Sequence, residues 1–220
     1  MAGESDMTRE KKVKLTWISH ACFRLEAGGK VFYFDPYEIP DGVPKADYVL
    51  ASHDHYDHLD AKSLAKVVKD DTVVVCPKSC LKSVKKGRAK GVKPGDDVTL
   101  GPATVKVVPA YNPNKRFHPK GNGWVGYVVE VEGKRVYHAG DTDQIPEMAS
   151  LGPVDVAMLP VGDTYTMGFD EAVDAAGVIK PKVVVPMHHW DKDLGEFKRK
   201  LEAAHPDVTV EVLEGRDYQF

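Results

Sequence analysis

The sequence predicts an α+β fold of stacked β-sheets covered by helices, and three observations carry that expectation. Strand-like apolar runs come in pairs around turn residues early in the chain, and strand and helix patterns alternate later. Polar clusters stand repeatedly at the ends of these runs, where a sheet edge would collect them.

Residues 1–12 are polar and are expected to fray, leaving residues 13–220 as one domain; 220 residues with 42% apolar content suit one sizeable core. Lys14–Ser19, Cys22–Glu26 and Lys30–Asp35 read as strands, the last two joined by the hairpin turn Gly28-Gly29. His20, at the first junction, is either a hydrogen-bonded turn histidine or a group beside a pocket. Asp35, before Pro36, either orients a nearby imidazole or caps its own turn. The loop from Pro40 to Pro44 leads to the strand Tyr48–Leu50, and Asp60 can cap a helix through about Val68, with Leu64, Val67 and Val68 at helical spacing.

Thr72–Cys76 reads as a strand and Ser79–Lys86 as a short basic helix. Lys78, Lys82, Lys85, Lys86, Arg88, Lys90 and Lys93 cluster there without interleaved aromatics, which suits a solvated face better than an anion patch. Val98–Leu100 and Ala103–Val108 form a hairpin about Gly101-Pro102, and the long loop Pro109–Gly123 follows. Loops above ~12 residues are uncommon unless they serve a function or lack order. Trp124–Val131 and Lys134–His138 are strands around Glu132-Gly133. Val154–Pro160, a polar loop from Gly162 to Gly168, a helix over Phe169–Ile179 and a strand over Val183–Pro186 come next. Leu194–Ala204 is an amphipathic helix and Val208–Leu213 a closing strand. No internal repeat stands out.

Thirty basic and 33 acidic residues leave a net charge of −3, so no overall field draws a polyanion, and nucleic acid is not an expected partner. The first twelve residues lack the apolar segment of a secretory signal, and no run approaches the ~18 apolar residues of a membrane span. An odd set of thiols, Cys22, Cys76 and Cys80, suits a reducing compartment, and a cytoplasmic protein is expected.

The densest chemistry lies just after Tyr48–Leu50. The hexamer His53-Asp54-His55-Tyr56-Asp57-His58 packs three imidazoles and two carboxylates into six residues. His53 and His55, two apart, project to one side of an extended chain and can share one cation as neutral imidazoles. Asp57 and His58 turn the other way and can hold a second cation beside the first. The helix that starts at Asp60 adds a partial positive charge that favours the Asp57 carboxylate.

His53-x-His55-x-Asp57-His58 resembles the signature of the metallo-β-lactamase-fold hydrolases. Gly140-Asp141-Thr142 resembles the motif that supplies that family's bridging carboxylate, and Pro186-Met187-His188 its late strand end with the last histidine. Phe34-Asp35-Pro36, His138–Thr142 and Lys180–His188 are most similar to the stand-alone branch related to ascorbate-6-phosphate lactonases. The likeness runs from Leu15 onward. It implies a four-layer αβ/βα sandwich, two mixed β-sheets flanked by helices, with metals at one edge.

The resemblance also implies a ligand set. His53, His55 and His118 would hold one ion, Asp57, His58 and His188 the other, and Asp141 would bridge them. Many relatives place a histidine directly after the Pro-Ala-aromatic step; here that position is Asn112, and the nearest imidazole is six residues on at His118. An amide is a poor zinc donor, which favours His118. Adjacent side chains alternate, so of His188 and His189 one faces the metals, and the resemblance selects His188. His20, Asp35, His138, Thr166 and His189 are placed beside the ligands as supporting groups.

The expected cofactors are two divalent ions, zinc first, with manganese or iron as alternatives. The expected activity is hydrolysis of a small ester-type substrate, a lactone or a phosphodiester or phosphotriester, by a metal-bound hydroxide, with Asp57, Asp141 and His188 as the catalytic core. No Gly-x-Ser-x-Gly elbow offers a serine nucleophile instead. Lys115, Arg116 and Trp124 either receive an anionic group or form an exposed basic tip. A metal-dependent binding or sensor protein without turnover is the alternative. A small-molecule substrate is the expected partner, with no membrane; a homo-oligomer stays open.

Overall fold

Residues 13–220 are described by a computed structural model, so the fraying expected for residues 1–12 lies outside the described residues. Strands β1 (Lys14–Ser19), β2 (Cys22–Ala27), β3 (Lys30–Phe34), β4 (Tyr48–Leu50), β5 (Val73–Pro77) and β6 (Arg88–Val92) run side by side in one sheet. Helix α1 (Ala61–Val67) lies between β4 and β5 in the chain. The second sheet takes β7 (Asp97–Leu100), β8 (Ala103–Pro109), β9 (Val125–Val131), β10 (Lys134–His138), β11 (Val156–Pro160), β12 (Val183–Met187) and β13 (Thr209–Val210). Helices α2 (Phe169–Ile179) and α3 (Leu194–Ala204) flank β12 in sequence, and β14 (Asp217–Gln219) crosses back to pair with β1. Both sheets are seven-stranded and mixed. This is the αβ/βα sandwich that the sequence resemblance implies.

Alternation along each strand divides the core. Phe32, Phe34, Leu50 and Val75 enter the large cluster shared by both sheets. Their neighbours Tyr33, Val49 and Val74 join a smaller cluster with Leu64 and Val67 of α1. One helix thus covers the outer face of the first sheet. Parallel strands β11 and β12 are buried at every position, because α2 and α3 cover their far side. By contrast β8 alternates buried Ala103, Val105 and Val107 with exposed Thr104 and Lys106.

Helix α1 starts where the sequence predicts, with the Asp60 carboxylate accepting from the Ser63 amide at 2.8 Å. Two elements differ from expectation. The basic helix over Ser79–Lys86 is a short 3-10 turn over Lys78–Ser83, and Arg88–Val92 behind it is strand β6, parallel to β5. Its exposed Arg88 and Lys90 stand on the edge of the sheet, where charge discourages pairing with another chain. The closing strand over Val208–Leu213 shrinks to Thr209–Val210, since the chain leaves to form β14 on the other sheet. Among the described residues no helix is long and apolar enough to cross a membrane.

The parallel pairings align carboxyl ends. β3 and β4 are parallel neighbours in one sheet, β10, β11 and β12 in the other. The segments leaving these ends carry Asp35, the hexamer, Asp141, Gly162 and His188, so topology gathers them at one rim.

Candidate metal centre

Backbone geometry at the rim is specialised. His20, Asp35 and His188 are non-glycine residues with φ of 45°, 42° and 52°, a conformation that side chains adopt only under constraint. Gly140, at φ 64°, lets the turn before Asp141 press between β9 and the segment after β4: a Cβ there would lie 2.8 Å from the Val125 carbonyl oxygen and 3.0 Å from Ser52 Cβ. After β4 the chain runs extended to His53 and then turns, with the His58 and Leu59 amides both donating to the His55 carbonyl. That turn brings the His58 ring to 4.1 Å from the His53 ring and carries Asp57 to the His20 side.

Besides a fully buried set of Asp35, His53 and His58, two groups of donors result. His53, His55 and His118 form one, with His53 Nε2 3.0 Å from His55 Nδ1. Asp57, His58, His188 and His20 form the other, each offering an atom within 4.8 Å of the rest. Asp141 Oδ2 stands between them, 3.2 Å from His118 Nε2, 3.2 Å from His188 Nε2 and 3.3 Å from His58 Nε2. Seven residues proposed as ligands from the sequence therefore come together. His20, open at the sequence level, joins them, with its Nε2 3.4 Å from Asp57 Oδ2 and its ring 3.9 Å from that of His188.

Hydrogen bonds from behind fix the rings. Asp35, fully buried, accepts from the Ser52 amide and hydroxyl, each at 2.6 Å, and from His58 Nδ1 at 2.7 Å. Ser52 Oγ lies 2.8 Å from His53 Nδ1 and accepts its proton. One carboxylate thus fixes the orientation of an imidazole in each group, leaving both Nε2 atoms facing Asp141. On the third side His118 Nδ1 donates to Asn112 Oδ1 at 2.8 Å, and the Tyr165 carbonyl lies 3.2 Å away. Asn112 thereby orients the histidine that stands near it in the fold. Trp124 packs at 4.9 Å from the His53 ring and 4.8 Å from the His55 ring.

The remaining supporting residues sit farther out. His138 stacks on Phe34 and donates to the Ala21 carbonyl at 2.9 Å. Thr166 accepts from the Gly162 amide at 3.3 Å and shapes the loop that carries Tyr165. His189 faces Trp17 and Glu214, outside both donor groups.

Electrostatics suit a cation. Burial, reinforced by His58, holds His53 well below the usual imidazole range, so it stays neutral. Burial would raise Asp141, but His58, His188 and His118 outweigh it and hold the carboxyl well below its ordinary value. Burial alone would lower His58; the Asp141 and Asp35 carboxylates override it and hold His58 well above the usual range. Neutral imidazole and ionised carboxylate are the states that metal donors require, and His58 carries the positive charge that a bound cation would replace. The donor atoms also lack other partners. Among the described residues His20 Nε2, His58 Nε2, His118 Nε2 and Asp141 Oδ1 are buried without a hydrogen bond. So many orphaned polar atoms in one place would be costly unless a ligand satisfies them, and their chemistry fits divalent metal ions.

A cavity of about 300 Å³ opens onto this cluster, floored by His55, Asp57, His118, Asp141 and His188. Tyr56, Phe117, Tyr165 and Trp190 wall it. Lys115, read from sequence as a candidate anion-binding group, is committed elsewhere: its ammonium lies 2.7 Å from Asp143 Oδ1 and 3.0 Å from the Asp163 carbonyl. It ties the loop of residues 109–123 to that of residues 162–168. Sequence reasoning missed the roles of Ser52 and Asn112, for which adjacency to His53 and the Pro-Ala-Tyr step was the only signal. It missed the aromatic wall too, whose members come from separate segments.

Comparison with known proteins agrees with this geometry. The family model of the beta-lactamase superfamily domain matches residues 14–188. A UPF0173 metal-dependent hydrolase of Archaeoglobus fulgidus is 36% identical, over 94% of this chain and 99% of its own. Among solved structures, a Parabacteroides distasonis protein assigned to the metal-dependent hydrolases superposes with a TM-score of 0.84 at 35% identity, covering 96% of this chain and 97% of that one. Igni18, a metallo hydrolase from Ignicoccus hospitalis, superposes with a TM-score of 0.79 at 28% identity, covering 95% and 98%. The chain belongs to the metallo-β-lactamase superfamily and, within it, to the UPF0173 metal-dependent hydrolases.

Proposed function

We propose that this chain, acting as one metallo-hydrolase domain over residues 13–220, uses two divalent ions to hydrolyse a small ester-type substrate. A lactone or a phosphodiester or phosphotriester is the substrate class, and zinc the first choice of metal, ahead of manganese and iron. The observation that carries this reading is the position of Asp141 Oδ2, within 3.3 Å of imidazole nitrogens from both donor groups. His53, His55 and His118 would hold one ion and Asp57, His58 and His188 the other, with Asp141 shared.

When bound, zinc would lower the pKa of its water to about 7 and would polarise the oxygen of the scissile group. The chain's own groups do the rest. Asp35, Ser52 and Asn112 hold the imidazoles in one tautomer, so that their lone pairs need no reorganisation. Asp141 and Asp57, both held below the ordinary carboxylate value by the histidines beside them, accept hydrogen bonds from an approaching water. His20 steadies Asp57 from the opposite side. The aromatic wall narrows the entrance and limits solvent.

A panel of chromogenic lactones, phosphodiesters and phosphotriesters, assayed with zinc and with manganese, tests the proposal. Turnover that disappears with a chelator and returns with metal is expected. Inactivity of metal-loaded protein across the panel would favour a binding or sensor role instead.

A further inference from the structure

The cavity wall is unlike the rest of the surface. Among the described residues four large apolar side chains are exposed, and three of them, Tyr56, Tyr165 and Trp190, ring this cavity at 72%, 41% and 50% exposure. Phe117 completes the ring, edge-on to Tyr165 with centroids 4.6 Å apart. Exposed aromatics gathered at one mouth mark a binding surface, because scattered apolar residues are ordinary and concentrated ones carry a cost.

Charge points the same way. No lysine or arginine is among the described residues lining the cavity. Lys115 is bound to Asp143, and the Arg116 guanidinium stands 5.5 Å from the centre of the Phe117 ring without reaching the lining. A free phosphate or carboxylate on the substrate would meet no fixed cationic side chain there. The backbone is arranged for the aromatic wall. Trp190 and Asp191 have φ of 48° and 58°, a rare conformation for a bulky residue, and it carries the indole across the His20 ring at 4.9 Å. Gly162 leaves room for this, since a Cβ there would sit 2.9 Å from Trp190 Cδ1.

We infer that the substrate is an uncharged ester or lactone bearing a flat apolar group, which stacks among Tyr56, Phe117, Tyr165 and Trp190 while the scissile bond faces Asp141. This rests on reading the site as a hydrolytic centre, but binding can be measured without turnover. Non-hydrolysable lactams separate the two. Metal-loaded protein is titrated with dihydroquinolinone, with its ring-carboxylated derivative and with piperidone, which lacks the aromatic ring. Dihydroquinolinone should bind about tenfold more tightly than either, and Trp190→Ala or Tyr165→Ala should bring the three within about twofold, with metal content unchanged. Equal affinities in the unmodified protein, tighter binding of the carboxylate, or a preference that survives both substitutions would overturn the inference. Dihydrocoumarin and valerolactone are assayed alongside. Selective lactam binding without dihydrocoumarin turnover would defeat the hydrolytic reading alone, whereas turnover of both lactones with equal KM would defeat the aromatic subsite alone.

Discussion

Asp35 Oδ2 lies 2.7 Å from His58 Nδ1, both side chains are fully buried, and the same carboxylate reaches His53 through the Ser52 hydroxyl. A residue at the end of β3 therefore governs one imidazole in each donor group, although it faces neither group's open side.

Replacing Asp35 by Asn keeps the shape and removes the charge. The amide would present a donor toward the His58 ring, so the tautomer held by the carboxylate would lose its anchor. We expect metal affinity and kcat/KM to fall about 10–100-fold with the fold retained. Metal titration and circular dichroism check the two halves of that statement.

Gly162→Ala acts from the other sheet. The added methyl would press on the His188 backbone carbonyl oxygen and sit 2.9 Å from both His188 Nδ1 and Trp190 Cδ1. His188 should be displaced from Asp141, and the Asp57–His58–His188 group should lose its ion first. Metal analysis showing a selective loss of about half the bound metal supports this; full occupancy with unchanged turnover contradicts it.

Acid stability has a separate source. Burial pushes Asp47 up, but the Val31 amide and the Lys69 and Lys30 ammonium groups outweigh it and hold its carboxyl below 3.8. A folded-state pKa below the unfolded one stabilises the protein above the unfolded value, and that contribution disappears as pH falls through the folded value. Asp47→Asn should thus be less stable than the parent at neutral pH, and the gap should close in acid. Urea unfolding of both proteins across that range measures the gap; a gap that widens in acid would reverse the sign and contradict the assignment.

Much of this arrangement is legible in the sequence, for identifiable reasons. The bounds of α2 and α3 match the expected ones, because helical periodicity is a local signal. The hexamer, Asp141 and His188 stand out because polar clusters end Val-rich runs. What escapes is set by distant partners. Strand β6, just behind the basic helix expected over Ser79–Lys86, goes unread because its pairing with β5 comes from the sheet, and β14 is three residues long with its partner at the other end of the chain. Lys115 reads as free to bind an anion until Asp143 is folded against it. Tyr56, Phe117, Tyr165 and Trp190 lie on four separate segments, so nothing in their spacing announces a common wall.

Metal stoichiometry tests the central claim most directly, because Asp141 is the group placed between both donor sets. Protein purified with zinc should carry about two ions per chain, and Asp141→Ala should lower this to one or none and abolish turnover. Parent protein that binds a single ion, or Asp141→Ala protein that keeps both ions and full activity, would contradict the account.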